Sequence, residues 1–511
     1  MKTLNLLLNA LAPAEYEILS STVAAEDVVI CALCSDSRLA THRSMFFCLS
    51  GSLTDGHKYA LSAYNSGCRC FAVERDIDLP PDATVIKFEN TRIALARLSA
   101  EYYDHPDRRM HIIGITGTKG KTTTAMLIYK MLCEYGIESG YIGTNGISFS
   151  DKHFPTVNTT PESLELHKYL SKMLNDGTKV AVIEVSSQAI MMHRIHGVKF
   201  DTLIYTNLYP DHIGGHEHPS FEHYRDTKRS LFSDYPADTV IINSDDPYAE
   251  YMVADCNSKI IRTSVEDESP SADWSVTDAR RIRTDTCLGV EFDVCRGNSH
   301  HPRRIMINLP GLINISNALA SIAVCCDVFD IPLDTASALL GRVNIEGRAE
   351  VVTFDSLKGV TFVIDYAHNG ASLHAMLTTL REYDPSRLIC LFGSVGERTF
   401  TRRAELAAAS GELADLSVIT SDNPGSEDPD KIISEIAAAL PDGAKHLRIT
   451  RREDAIYEAV NGAERGDIIL LAGKGHENYQ LIGTVHMPFS DKDALFDAVE
   501  RLKDAKFSKN T

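Results

Sequence analysis

Short apolar runs alternate with segments of helical periodicity along most of the chain. Up to about Asp107, runs at Val28 to Leu33, Met45 to Leu49, Cys70 to Val73 and Thr84 to Phe88 are interleaved with patterns such as Thr91 to Tyr103, which predicts a small α/β domain. The run His111 to Ile115 then enters a glycine-rich turn and a helical pattern over Lys121 to Tyr135. Further runs at Val180 to Val185, Thr202 to Thr206 and Thr239 to Ile242 each end on polar residues, as expected of a parallel sheet whose carboxyl ends bear a site. A charged and polar stretch, Glu266 to His301, precedes a helix rich in Asn and Ala over Asn314 to Val328. Alternation then resumes, with strands expected at Thr361 to Asp365, Arg387 to Phe392, Leu416 to Thr420 and Asp467 to Ala472. The expectation is an α/β chain of three domains, bounded at 1–108, 109–345 and 346–511. The central one is a phosphate-loop ATPase domain with a parallel-rich sheet, the C-terminal one Rossmann-like, and the N-terminal one smaller.

Length agrees with three domains: 511 residues exceed what one ordinary core accommodates. Apolar residues at 44% and charged residues at 24% describe a folded globular chain. A net charge of −19 offers no field to gather nucleic acid, so any phosphate must be neutralised locally by loop amides, a few cations and metal. The first residues, Met1 to Pro13, lack the pattern of an export signal, and no span of about 20 apolar residues follows. A cytoplasmic protein without membrane insertion is expected, with its twelve cysteines reduced. Cys31 and Cys34 have the spacing of a zinc or redox pair, but no second such pair completes a tetrahedral set.

The chemistry concentrates in Gly114-Ile-Thr-Gly-Thr-Lys-Gly-Lys-Thr-Thr-Thr124. Over Thr116, Gly117, Thr118, Lys119, Gly120, Lys121, Thr122 and Thr123, glycines let backbone amides approach phosphate oxygens, Lys121 offsets charge and the Thr122 hydroxyl can ligate magnesium. Gly114 stands one residue too far from Gly120 for the commonest phosphate loop, and Gly117 lies inside it. Two other strand ends hold reactive types, Glu184-Val-Ser-Ser-Gln188 and Thr206-Asn-Leu-Tyr-Pro-Asp-His212. A hard cation at that edge accounts for Glu184 with His212. The stretch His212, His216, His218 and His223 alone is also compatible with a solvated loop or with zinc.

The sequence TGTKGKTT has the form found in the Mur ligase family, and the resemblance runs along almost the whole chain, closest to the MurE members, the UDP-N-acetylmuramoyl-tripeptide synthetases. It implies ATP and magnesium as cofactors, and UDP-N-acetylmuramoyl-L-alanyl-D-glutamate and a free amino acid as partners, handled by a monomer. In that resemblance Glu184, His212 and a carbamylated Lys228 hold a second magnesium beside Thr122. Asn158, Thr159, Thr160, Ser186 and Arg194 hold the muramoyl dipeptide, although Met192 replaces a Gln contact of some members. Ser37, in Asp36-Ser37-Arg38, and the loop Gly51 to His57 cradle the uridine diphosphate. Asn314 and Asn317, otherwise readable as helix caps, meet adenine, while Arg348 and Asp365 reach the terminal phosphate and the ribose on domain closure.

Three further segments resemble the MurE amino-acid pocket: Gly396-Glu-Arg398, Asp422-Asn-Pro-Gly-Ser-Glu-Asp428 and Gly473-Lys-Gly-His-Glu477. Asp422 and Glu477 are placed for an ammonium group and Arg398 for a carboxylate, with Asn423 and Gly473 beside them. Gly425 stands where members using meso-diaminopimelate carry Arg. An unpaired second carboxylate would cost roughly 2 to 5 kcal/mol, so L-lysine is the expected amino acid, with meso-diaminopimelate and L-ornithine as alternatives. The reaction implied is phosphorylation of the D-glutamyl carboxylate and attack by the amine on the acyl phosphate, with Lys121, Glu184, His212, Lys228 and Arg348 as the catalytic set. A folylpolyglutamate synthase shares the phosphate loop, and a non-ligating ATP-driven switch is the rival from another class.

Overall fold

Buried strands form where the apolar runs of the two larger α/β regions lie, and in both regions the carboxyl ends of parallel strands converge on one edge. The computed structural model describes residues 1–51, 54–215, 217–266, 272–297, 302–397 and 399–510, the last six by backbone alone. They fall into two compact units, one built mainly from Met1–Ser264 with Ala320–Ile331, the other from Ser275–Leu319 with Pro332–Thr511.

Two larger sheets shape the first unit. One is five-stranded, in the order Tyr16–Ser20, Thr84–Phe88, Cys70–Val73, Ser44–Phe47, Ala32–Cys34, parallel except at Tyr16–Ser20. Cys34 is buried there, its thiol directed at the Met45 carbonyl 3.8 Å away. The other sheet is centred on His111–Thr116, flanked in parallel by Val180–Glu184 and Thr202–Tyr205 and extended by Thr239–Asn243 and Lys259–Ser264. Val, Ile and Leu fill these strands on both faces, as a sheet covered on both sides requires. Glu184 pairs with Ile115 and Tyr205 with Thr116, so these strand ends share one edge. The helix Lys121–Tyr135 begins at that edge, buries Ala125, Leu127, Ile128, Met131 and Leu132, and ends at Gly136 with φ +98°.

The second unit holds a six-stranded sheet in the order Glu350–Val352, Thr361–Asp365, Ile468–Ala472, Leu388–Phe392, Leu416–Ile419, His446–Arg448, parallel beyond its first strand. Asp365 pairs with Ala472, which sets Asp365 beside Gly473 at the carboxyl edge. The polar stretch after Glu266 is more ordered than its composition suggested: Trp274–Arg283, Leu288–Arg296 and Arg303–Ile307 are strands. Leu288, Val290, Phe292 and Val294 are buried in alternation with more exposed neighbours, a period-two signal that an average over the charged residues conceals. Among the described residues no helix is long and apolar enough to cross a membrane.

A buried ion pair ties the C-terminal helix to this sheet. The Arg452 Nε and Nη2 donate to the Asp491 carboxylate at 2.6 and 2.7 Å, and Nη2 also reaches the Ala472 carbonyl at 2.9 Å, just before Gly473. Both side chains are fully buried. Removing one partner leaves an uncompensated charge, so Asp491→Ala is expected to destabilise the unit by about 3–5 kcal/mol. Hydrogen exchange of the amides in Ile468–Ala472 checks this, with acceleration of roughly two to three orders of magnitude expected.

Candidate active site

The phosphate loop is held open by its own backbone geometry. Gly117 has φ +149°, and a Cβ there would lie 1.9 Å from the Thr206 Oγ1. Gly120, at φ +85°, turns the chain into the helix. Asn207 braces the loop from the neighbouring strand end, accepting from Thr118 N through its carbonyl and from Lys119 N through Oδ1, both at 2.9 Å. Lys121 Nζ donates to the Gly117 and Thr118 carbonyls at 2.7 and 3.1 Å, which places an ammonium over the loop.

Glu184 is fully buried, yet its carboxylate forms no ion pair with a described Lys, Arg or His. It accepts instead from Thr122 Oγ1 at 2.9 Å, Tyr141 OH at 2.5 Å and Thr144 N at 3.0 Å. A Cβ on Gly143 would come within 2.2 Å of its Oε1. A desolvated carboxylate joined to the loop's hydroxyl is a fitting donor pair for a hard cation. Tyr141, Thr144 and Gly143 were not anticipated from sequence, since nothing in the local pattern links them to Glu184.

Lys228 is also buried, with Nζ 3.0 Å from the Gly117 carbonyl and 4.8 Å from the Tyr224 ring. Burial, with Lys121 nearby, holds its amine well below the usual lysine range. The shift enlarges the neutral fraction of the amine, the form that reacts with carbon dioxide. His212, at φ +57°, meets Glu217 Oε2 through Nδ1 at 2.9 Å. Donation from Nδ1 leaves Nε2 as the lone-pair nitrogen, the arrangement common in metal-bound histidines. His216 lies outside the described residues. His218 and His223 face each other at 2.9 Å, and His218 also meets Ser187, so they serve the loop's own packing.

A cavity of about 270 Å³ brings Lys121, His212 and Lys228 together with Asn158, Thr159, Ser186 and Arg194. Thr160 stands just behind, donating to the Glu184 carbonyl at 2.7 Å and accepting from Ser186 N at 3.1 Å. Arg194 is committed in part, its Nε donating to Glu162 at 2.8 Å and Nη1 to the Thr160 carbonyl at 3.3 Å. Ser37 opens a short turn capped by Asp36 at an end of the N-terminal sheet.

In the second unit Asp365 staples two loops, accepting from Ala349 N at 2.7 Å and Ala367 N at 2.8 Å. Burial raises its pKa, and the nearby Arg348 and these amides oppose the shift. The Arg348 guanidinium lies 5.1 Å from the Tyr366 ring centroid. Asn314 donates to the Pro310 carbonyl at 2.8 Å and accepts from Asn317 at 3.0 Å at the start of the helix Ile313–Asp327.

A second cavity, of about 290 Å³, is lined by Asp422, Asn423, Gly473 and Glu477 together with Tyr366, His368, Arg402 and Tyr479. Gly473, at φ +109°, is required by the close Asp422 carboxylate, which a Cβ would approach to 2.7 Å. Lys474 is fully buried between the acids, 2.9 Å from Glu477 Oε2 and 3.8 Å from Asp422 Oδ1. Asn423 works within the wall, donating to Glu477 at 3.0 Å and accepting from Lys474 and Leu481 N. Arg398 lies outside the described residues. Lys474 and Arg402 were missed from sequence, although Lys474 sits inside the Gly473 to Glu477 motif.

Family comparisons agree with this geometry. The Mur ligase middle domain matches residues 115–325, and the Mur ligase glutamate ligase domain matches 347–475. A UDP-N-acetylmuramoyl-L-alanyl-D-glutamate--2,6-diaminopimelate ligase of Clostridium acetobutylicum is 36% identical over 469 residues, covering 91% of this chain and 94% of its own. One from Caldanaerobacter subterraneus subsp. tengcongensis is 34% identical over 470 residues, covering 92% and 94%. A solved structure bearing the same ligase name superposes with a TM-score of 0.66 at 24% identity, over 95% of this chain and 98% of that one. These relatives are named for 2,6-diaminopimelate and not for L-lysine, which favours the alternative amino acid over the one expected from Gly425. Physically, Gly425 is fixed at φ +59° with its N–H on the Leu481 carbonyl, so it reports a backbone requirement and leaves the cavity's cations uncounted. With both catalytic domains matched and relatives above 30% identity across nine-tenths of its length, the chain belongs to the Mur ligase family, among its MurE-type members.

Proposed function

We propose that this ligase joins 2,6-diaminopimelate to the D-glutamyl residue of UDP-N-acetylmuramoyl-L-alanyl-D-glutamate, converting ATP to ADP and phosphate. The observation that carries the reading is the clustering of Thr122, the buried Glu184 and the buried Lys228 around one phosphate loop. Magnesium, when bound, would neutralise phosphate charge, and the donors suited to it are the Thr122 hydroxyl, Glu184, His212 and a carbamate on Lys228.

The chain's own part is positioning. Loop amides and Lys121 hold the nucleotide phosphates, and Asn158, Thr159, Thr160, Ser186 and Arg194 hold the acceptor, with Ser37 at its uridine end. An oxygen of the D-glutamyl carboxylate attacks the γ-phosphorus and ADP leaves. The α-amine of the amino acid then attacks the acyl carbon, a C–N bond forms, phosphate departs and the amine's proton passes to solvent. Arg348 suits the transferring phosphoryl group, Asp365 the ribose, and Asn314 with Asn317 the adenine. The amino acid enters the cavity of Asp422, Asn423, Gly473 and Glu477, with Arg398 as a carboxylate partner. We read the domains as 1–108 for uridine diphosphate, 109–345 for ATP and 346–511 for the amino acid, in a cytoplasmic monomer.

Phosphate release should require acceptor and amino acid together, with a higher kcat/KM for meso-diaminopimelate than for L-lysine. Turnover without acceptor, or none with any pairing, overturns the ligase reading, and a preference for L-lysine overturns the choice of amino acid. For the carbamate, Lys228→Ala is expected to lower kcat by at least about 10²-fold, in keeping with loss of a charge-stabilising group. Added short-chain carboxylates should restore part of it, and a fully active Lys228→Ala enzyme would exclude the carbamate.

A further inference from the structure

The amino-acid cavity can be examined as a sum of charges. Asp422 and Glu477 contribute two negative charges and Lys474, buried between them, one positive. Arg402, half-buried on the same wall, adds a second positive charge. Tyr366, Val395, Asn423, Gly473, Tyr479 and Leu481 add none. His368 stays neutral, because burial lowers its pKa and Arg402 and Arg348 act in the same direction. Among the described residues that line the cavity the charges therefore balance, which suits a group bearing both an ammonium and a carboxylate better than a lone ammonium.

The two acids also show which end of the substrate enters. Neighbouring carboxylates stabilise a protonated amine, whereas the attacking amine must be neutral. The ammonium held by Asp422 and Glu477 is thus the unreactive one, and a carboxylate in the same cavity belongs to the same distal carbon. Arg402 is already oriented: Nε and Nη2 both donate to the His368 carbonyl, at 3.2 and 2.9 Å. This grip fixes the plane of a five-donor guanidinium and reduces the ordering cost of meeting a carboxylate.

We propose that Arg402 binds the distal carboxylate of the incoming diamino dicarboxylic acid and makes the cavity selective for it over a diamino monocarboxylic acid. The proposal rests on the reading of the chain as a diaminopimelate ligase. It also accounts for the Gly at 425: the guanidinium arrives from the helix Phe400–Leu413 and not from the loop that carries Gly425.

The test uses the full chain with ATP and saturating acceptor, comparing meso-diaminopimelate with its derivative amidated at the distal carboxylate. The comparison is read as kcat/KM, or as Ki where turnover is slow. Wild-type enzyme that ignores meso-diaminopimelate refutes the diaminopimelate reading before any variant is made. Given wild-type use of it, Arg402→Gln is expected to lose at least about tenfold on meso-diaminopimelate, mainly through KM, and to change by less than about twofold on the amide. Arg402→Lys, which keeps the charge but not the fork, should fall between. Equal losses on both substrates would reduce Arg402 to a clamp on the His368 loop and overturn the proposal, as would no loss on either. Should Arg402→Gln fail to fold, Arg402→Lys decides by the same ratio.

Discussion

A carboxylate with no exposed surface sets the terms for the first unit. Glu184 ends a central strand, and a charge desolvated there costs several kcal/mol unless hydrogen bonds or a cation offset it. Four neutral donors meet it, from Thr122, Tyr141 and both the amide and hydroxyl of Thr144, and space for its Oε1 exists only because residue 143 lacks a side chain. These partners come from two segments, so one buried charge ties the phosphate loop and the strand Ser139–Gly143 with its following turn to the end of its own strand. On the proposed function a divalent ion would supply the opposite charge.

Lys228 poses the opposite problem on the same loop. Burial and a second lysine nearby disfavour the protonated amine, and its contacts are the Thr116 hydroxyl, the Gly117 carbonyl and an aromatic ring. None of these contacts carries a negative charge. Conversion to a carbamate would exchange a disfavoured cation for an anion that a metal can use. On the proposed function, Glu184 and a carbamylated Lys228 would be two answers to one requirement, anionic ligands in a site that also admits the phosphates of a nucleotide.

Much of this was legible in the sequence because strand, glycine-rich turn and helix follow one another without interruption from His111 to Tyr135. The helix appears with the bounds that its periodicity predicted, and Glu184 ends one strand and His212 lies in the loop after another, both strands having unmistakable apolar runs. What was hidden falls into two kinds. Leu288 to Val294 were obscured because period-two alternation is lost when a charged stretch is read by composition. Tyr141, Thr144 and Arg402 were obscured because each acts across a distance in sequence, and no local spacing announces a hydrogen bond to a strand 43 residues away.

The expectation drawn for the amino acid has the same origin. It rested on position 425 alone, whereas a cavity selects by the charges of all its walls. Gly425 answers to a different demand, since its amide and carbonyl are engaged by Leu481 and Gly483 of the hairpin Tyr479–Pro488 while its φ is +59°. A side chain there would be strained whatever its charge. Once the backbone at 425 serves the hairpin, a guanidinium for the second carboxylate has to come from elsewhere on the wall. The helix bearing Arg402 is the element that presents one, and the pair Asp422 and Glu477 with Lys474 leaves one unit of negative charge for the ammonium beside it.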